Sequence, residues 1–132
     1  MKDYQVKILD SVYKLATDTP YCFRAKVAAA IYKNKSLIAY GFNRYKTHPV
    51  QQLYAKHPKA CYIHAEIDAI IKALKRISSE DFRNCDLYVA RSKKDSPKGK
   101  YVPALAKPCI GCTRAIMAFG FKSVFYTENE CD

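Results

Sequence analysis

Two short motifs that lie far apart in the sequence constrain the fold most. The first is His64-Ala65-Glu66 and the second is Pro108-Cys109-Ile110-Gly111-Cys112, with Cys109 standing 45 positions after His64. Together they offer one imidazole and two thiols, which are side chains that bind zinc. Three protein ligands with a fourth position left for water are typical of a catalytic zinc site rather than a structural one. A fold that uses both motifs must bring two distant segments together.

Glu66 gives this pair of motifs a chemical meaning. The carboxylate is not needed as a metal ligand, so it is free to transfer protons. Zinc lowers the pKa of a bound water to roughly 7, and Glu66 could then move a proton from water to a ring nitrogen and to a leaving amine. H-x-E followed by P-C-x-x-C is the signature of zinc enzymes that deaminate nucleobases, and both parts match here without substitution.

Both motifs are predicted to lie at the start of helices. Cys109 and Cys112 are three positions apart and therefore share one helical face. The partial positive charge at a helix N-terminus lowers the pKa of a thiol and favours the thiolate. His64 and Glu66 can reach one ion only from a first turn, because residues two apart diverge further along a helix.

The pattern of apolar residues predicts an α/β fold. The predicted elements are a helix over 3–16, strands over 27–32 and 37–40, a helix after His64, a strand over 85–91, a helix from Cys109 to Gly120 and a strand over 121–127. The helix after His64 has an apolar face formed by Ile67, Ile70, Ile71, Leu74 and Ile77. Segments 44–63 and 92–106 are predicted to be irregular loops. The first two strands form an antiparallel hairpin, and the last strand–helix–strand unit is predicted to be a right-handed parallel crossover.

Composition narrows the class of protein. A chain of 132 residues that is 49% hydrophobic predicts a single domain over residues 1–132 with its own core. No run reaches the roughly 18 apolar residues of a membrane helix, and the N-terminus does not resemble a signal peptide. We therefore expect a cytoplasmic protein without membrane contact, whose six cysteines are thiols or metal ligands. The formal net charge of +11 favours anionic partners such as a nucleotide or a nucleic acid.

Two other metal arrangements are open at this point. Cys61 stands three positions before His64, so these residues could join Cys109 and Cys112 in a structural zinc site of a non-catalytic interaction module. That arrangement would leave Glu66 without a role, and its halves are much further apart than the ~15–20 residues typical of zinc ribbons. A second, structural zinc could use Cys22, His48, His57 and Cys61, although their spacing fits no fixed template.

From about Arg24 to Tyr126 the chain resembles the cytidine deaminase superfamily, in particular its branch of deoxycytidylate deaminases and tRNA adenosine deaminases. Besides the zinc motifs, the resemblance rests on residues 24–27 entering the first strand and on Gly41-Phe42-Asn43 after the second. It implies a three-layer α/β/α domain with a mixed sheet, usually oligomeric. The implied zinc ligands are His64, Cys109 and Cys112, with Glu66 as the proton shuttle.

The resemblance also implies substrate contacts. Asn43 would contact the substrate sugar, the backbone at Ala65 would face the base carbonyl, and an aromatic residue near Tyr126 would line the base pocket. Each has a plainer alternative, since Asn43 also suits a turn at a strand end and Tyr126 also suits the core.

Three differences from this branch leave the substrate open. Asp68 stands where deoxycytidylate deaminases commonly carry Asn, residues 41–44 look as much like the tRNA-acting members, and no further helix and fifth strand follow the last predicted strand. A partner chain could complete the sheet in a homo-oligomer. We therefore expect a cytosine mononucleotide, most of all deoxycytidylate, with single-stranded DNA or tRNA as the alternative. The basic segment Lys93–Lys100 and the tyrosines of segment 44–63 favour that alternative.

Overall fold

The computed structural model describes residues 1–19, 25–44, 48–54 and 63–129. Its elements are α1 (Asp3–Asp18), β1 (Ala25–Lys33), β2 (Ser36–Phe42), α2 (Pro49–Tyr54), α3 (Ala65–Ala73), a 3₁₀ helix (Ser79–Asn84), β3 (Asp86–Lys94), β4 (Tyr101–Ala104), α4 (Ile110–Phe119) and β5 (Ser123–Tyr126). None of the helices in these ranges is long and apolar enough to cross a membrane.

The strands form one mixed sheet of five strands. β1 lies between β2 and β3 and is antiparallel to both, and β3 continues to β4 as a second antiparallel hairpin. β5 runs parallel to β3. β5 pairs with residues 86–89 of β3 and β4 with residues 91–94, so the two short strands follow one another along the same side of β3. The predicted initial hairpin and the parallel pairing of the last strand are confirmed.

Helices cover both faces of the sheet, which confirms the predicted three-layer α/β/α fold. Alternate residues of β1 and β3 point to opposite faces, as the period of two in a strand requires. On one face α1 packs its buried Leu9, Val12 and Ala16 against Ala28, Ala30, Tyr88 and Ala90. On the other face α3 and α4 pack against Ala29, Ile31, Leu87 and Val89.

Two segments predicted to be irregular contain regular structure, and the expectation of only four strands is wrong. Pro49–Tyr54 is helical, but at six residues it is too short to show a helical repeat in the sequence. Tyr101–Ala104 is a strand although it contains Pro103. β4 is the last strand in the sheet order, where a residue without an N–H is tolerated. Leu74, expected on the apolar face of α3, follows its end and is 39% exposed.

Close contact between β2 and α3 fixes the position of α3 on the sheet. A Cβ added to Gly41 would lie 2.5 Å from the Ala69 nitrogen and 2.8 Å from the carbonyl carbon of Asp68, so only glycine lets the two elements approach so closely. The Asp68 carboxylate accepts a hydrogen bond from the Phe42 N–H at 3.0 Å. These contacts hold the N-terminus of α3 above β1 and β2.

Thr127 joins the ends of β4 and β5. Its hydroxyl donates to the Ala104 carbonyl at 2.7 Å and accepts from the Arg91 N–H at 3.0 Å. Its own N–H donates to the Val89 carbonyl, and its carbonyl accepts from the Ala106 N–H at 2.9 Å. One residue therefore connects β3, both short strands and the segment that leads to Cys109.

Candidate metal centre and substrate cavity

His64 is the N-cap residue of α3 and has an extended backbone, with φ −81° and ψ 156°. Its N–H donates to the Gln51 side-chain oxygen at 3.0 Å, and its carbonyl accepts from the Asp68 N–H at 3.0 Å. Gln51 is 2% exposed and lies on α2. Sequence reasoning missed Gln51, because a glutamine in a polar segment carries no signal of burial.

Cys109 holds the corresponding position at the start of α4. It is the N-cap residue, and its Sγ accepts the Cys112 N–H at 3.4 Å. Cys112 is fully buried on the first turn, whereas Cys109 is exposed. α4 then runs to Gly120, which adopts the left-handed conformation with φ 77°. Both halves of the candidate site thus begin helices.

The N-terminal ends of α3 and α4 bring the imidazole and the two thiols together. His64 Nδ1 lies 3.4 Å from Cys109 Sγ and 3.3 Å from Cys112 Sγ, and the three donor atoms fall within 4.8 Å of one another. A tetrahedral zinc with the usual bond lengths separates a nitrogen and a sulfur ligand by about 3.5 Å. The donor set therefore fits Zn²⁺ in both chemistry and spacing. Within the described ranges this is the one cluster of three His, Cys, Asp or Glu ligand atoms.

The thiols of Cys109 and Cys112 differ in the direction in which their surroundings shift the pKa. The hydrogen bond with Cys112, followed by that with His64, lowers the pKa of Cys109 to about 3. The same bond between the sulfurs, together with burial, raises the pKa of Cys112, and the bond with Cys109 raises the pKa of His64. Cys109 is thus prepared as a thiolate, and a metal ion that binds both sulfurs would displace the proton on Cys112.

Glu66 lies next to this donor set. Its side chain is on the first turn of α3, and the residue is 5% exposed. Burial, the largest cause, raises the pKa of its carboxyl group. A buried carboxyl group whose pKa is raised accepts a proton more readily than an exposed one, which suits a group that accepts and returns protons.

A cavity of about 270 Å³ opens against the metal ligands. His64, Ala65, Glu66 and Cys109 form one wall, and the rest is lined by Ala25, Val27, Asn43, Val89, Arg91, Leu105, Ala106 and Lys107. We call this the reaction cavity. Arg91 and Lys107 place two cations on its wall, and neither was singled out from the sequence. The signal available for Arg91 was its spacing of two from Val89 on β3, which puts both on one sheet face.

The predicted substrate-contact residues are placed differently from one another. Asn43 lines the reaction cavity while its side chain accepts from the Val27 N–H at 3.0 Å and donates to the Ala25 carbonyl at 3.3 Å. Ala65 is buried on the cavity wall. Tyr126 pairs with Val89 in the sheet and packs against the core, and it is not among the described residues that line the cavity.

The two alternative metal arrangements depend on residues outside the described ranges. Cys22, His57 and Cys61 all lie there, so a fourth protein ligand and a second zinc stay predictions. His48 is described, and its Nδ1 accepts the Val50 N–H at 3.1 Å at the start of α2.

Over residues 3–128 the chain matches the family described as the cytidine and deoxycytidylate deaminase zinc-binding region. No curated protein sequence matches the chain significantly.

Three solved structures have a similar fold. The dCMP deaminase of cyanophage S-TIM5 in apo form is 25% identical, has a TM-score of 0.61 and matches over 96% of this chain and 84% of its own. Guanine deaminase from Bacillus subtilis is 23% identical with a TM-score of 0.59, over 97% of this chain and 65% of its own. RibD from Acinetobacter baumannii is 22% identical with a TM-score of 0.54, over 93% of this chain and 27% of its own.

Proposed function

The chain belongs to the cytidine and deoxycytidylate deaminase zinc-binding family, and on that premise we propose that it hydrolytically deaminates a cytosine nucleotide, with deoxycytidylate as the first candidate. The products are the uracil nucleotide and ammonia. The observation that carries the proposal is the convergence of His64 Nδ1 and the Cys109 and Cys112 sulfurs beside a buried Glu66 on the wall of one cavity.

His64, Cys109 and Cys112 would hold the zinc. When bound, Zn²⁺ supplies the Lewis acidity that makes water acidic enough to lose a proton near neutral pH. The three ligand side chains meet beside the reaction cavity among the described residues, which supports a catalytic rather than a structural site.

Glu66 would move the protons. Its carboxylate accepts a proton from the attacking water and delivers it to the ring nitrogen N3, and it then assists transfer of a proton to the departing amino group. The water oxygen becomes the 4-carbonyl oxygen of uracil, the C4–N bond breaks and ammonia leaves. Burial raises the pKa of Glu66, so this carboxylate takes up a proton more readily than an exposed one, as the exchange requires.

Other residues of the cavity would position the nucleotide. We assign Asn43 to the sugar and the Ala65 backbone, at the N-terminus of α3, to the base carbonyl. Tyr126 is the neighbour of Val89 across β3 and β5, and we assign it to the base from that position. Arg91 and Lys107 are suited to the phosphate because both are cations on the cavity wall. Deoxycytidylate is favoured because the cyanophage S-TIM5 enzyme has also been solved with dCMP and dUMP. The resemblance to the cytidine deaminase superfamily also leads us to propose a homo-oligomer, and the composition and N-terminus lead us to propose that it is cytoplasmic.

A polynucleotide substrate is the second candidate, and the cationic surface next to the reaction cavity favours it. A non-catalytic zinc module is the third. It would give no reason for a carboxyl group buried beside the metal ligands, so we place it last.

The test is a substrate panel with a matched pair of variants. The zinc-loaded protein is incubated with deoxycytidylate, cytidine, single-stranded DNA and tRNA, and uracil, inosine and ammonia are measured. We expect Glu66→Gln to lower kcat by about 10²–10⁴-fold with unchanged zinc content. Glu80→Gln, on the exposed 3₁₀ helix, should match the wild type. Undiminished turnover by Glu66→Gln would refute the proton-transfer role, and a zinc with four protein ligands in X-ray absorption, without turnover, would establish the module.

A further inference from the structure

A second and larger cavity, of about 920 Å³, lies beside the reaction cavity. Residues from β1 and from the β3–β4 hairpin line it, among them Ala25, Arg91, Lys93, Lys94, Asp95 and Tyr101. Three of these are cations and one is an acid. We call it the basic cleft.

The basic cleft is continuous with the reaction cavity. Ala25 and Arg91 line both. Along β3, Val89 lines the reaction cavity, Arg91 lines both and Lys93 lines the basic cleft. Residues two apart in a strand point to the same face and are about 6.7 Å apart. The side chains on one face of β3 therefore run from the reaction cavity into the basic cleft.

Tyr101 helps to hold the cations at the end of the hairpin. It is the cross-strand partner of Lys94, and the Lys94 Nζ lies 5.7 Å from the centre of its ring. The Lys26 Nζ lies 4.6 Å from the same ring and also donates to the Thr17 carbonyl at 3.1 Å. Such cation–π contacts restrain otherwise mobile ammonium groups. Of these two lysines Lys94 lines the basic cleft, so one of its cations is already partly ordered before an anion binds.

Size and charge together indicate the ligand. A mononucleotide needs one phosphate neutralised, and Arg91 and Lys107 can do that within the reaction cavity. The basic cleft adds Lys93 and Lys94 in more than three times that volume. We propose that the basic cleft binds the phosphodiester backbone of a single-stranded nucleic acid next to the cytosine that enters the reaction cavity. A single strand is required because a paired base cannot reach such a site. For the reacting base this inference rests on the proposed function, whereas strand binding itself does not.

The first experiment measures binding alone. A fluorescently labelled 12-nucleotide DNA strand with one cytosine, and a thymine-only strand of equal length, are titrated with protein at several salt concentrations, and anisotropy is recorded. We expect Lys93→Ala/Lys94→Ala to weaken binding of both strands about tenfold at low salt. The slope of log K against log salt should become shallower by about 1.4, because each phosphate contact contributes about 0.7 for a single strand.

Lys7→Ala/Lys14→Ala is the matched control. These lysines are exposed on α1 and are not among the described residues that line the basic cleft, and the double variant loses the same charge. Equal losses in the two double variants would overturn the proposal, since binding would then reflect net charge alone. Thermal unfolding shows whether each variant remains folded.

The second experiment compares kcat/KM for deoxycytidylate, deoxycytidine triphosphate and the cytosine-containing strand. We expect Lys93→Ala/Lys94→Ala to lower the value about tenfold for the strand and to leave deoxycytidylate within twofold. Loss of triphosphate turnover with the strand unaffected would overturn the proposal and make the cleft a polyphosphate site. Binding of the thymine-only strand without deamination of any substrate would refute the proposed function and leave the cleft assignment standing.

Discussion

The Arg44 guanidinium forms an ion pair with the Asp68 carboxylate, whose side chain is 1% exposed. Arg44 directly follows Asn43, and its N–H donates to the Ile63 carbonyl at 3.0 Å, one residue before His64. Lys72 adds a second cation 3.1 Å from the same carboxylate. A single ion pair thus ties a proposed sugar contact and a proposed zinc ligand to α3, although neither partner lines the reaction cavity.

The first prediction concerns this pair. Asp68→Asn keeps an acceptor for the Phe42 N–H but removes the charge that faces Arg44 and Lys72. Breaking a fully buried pair costs about 3–5 kcal/mol, and we expect about 1–3 kcal/mol because the two cations are 27% and 39% exposed. Urea unfolding measures the loss. Asp10→Asn on the exposed side of α1 should change stability by less than about 0.5 kcal/mol, and an equally small effect at Asp68 would contradict the prediction.

Replacement of Gly41 by Ala should separate β2 from α3. The added Cβ would lie 2.5 Å from the Ala69 nitrogen, and backbone on both sides cannot give way cheaply. We expect a loss of about 2–3 kcal/mol in the free energy of unfolding and a higher KM, since Asn43 moves with β2. Gly120→Asn is the control, because in the described part of the chain no atom beyond its own neighbours lies within 4 Å of the added Cβ, and Asn tolerates its left-handed backbone. A stable Gly41→Ala variant with unchanged KM would show that the contact is adjustable.

Metal removal should cost both activity and stability. We expect one zinc per chain from the described ligands, and chelation should abolish turnover and lower the melting temperature. At a free zinc concentration a thousand times Kd, the bound ion contributes about 4 kcal/mol. Cys112→Ser should lose the metal, whereas Cys85→Ser, at a buried thiol beside the Asp81 carbonyl, should keep it. Elemental analysis distinguishes the outcomes, and two ions per chain would instead support a second site involving residues outside the described ranges.

Tyr88 should make the fold sensitive to alkali. Burial raises its pKa to about 12, above the usual 10. The unfolded state therefore ionises first, so the full stability is present below pH 10 and is lost as pH rises toward 12, by about 1.4 kcal/mol per pH unit. Tyr88→Phe should remove this part of the slope. It should cost little at pH 8, because the hydroxyl has no hydrogen-bond partner within the described part of the chain. Urea unfolding at pH 8 and pH 11 tests this, and parallel slopes would contradict it.

Local sequence signals predicted the two helices that carry the metal ligands. The helix that begins at Cys109 is bounded by Pro108 and Gly120, and the apolar repeat after His64 locates the other helix. Both signals lie within a few residues of the feature that they mark. They are therefore sufficient to place the ligands at two helix N-termini without any information on long-range contacts.

The remainder depends on contacts between distant residues. Arg44 and Asp68 are 24 positions apart and meet only because Gly41 lets α3 approach β2. Gln51 supports His64 from a helix too short to show periodicity. The strand that contains Pro103 exists because β3 offers it an open side beyond β5. None of these contacts can be recognised from the sequence of a single helix or strand.

The position of Thr127 sets an order of events during biosynthesis. Thr127 leaves the ribosome after the two proposed cysteine ligands of the metal. Its hydroxyl and backbone nevertheless secure the end of β4 and the segment before Cys109. A nascent chain that stops short of it can pair β1, β2 and β3 but cannot anchor one wall of the reaction cavity. We therefore expect zinc acquisition to be among the last steps of maturation, after synthesis has passed residue 127.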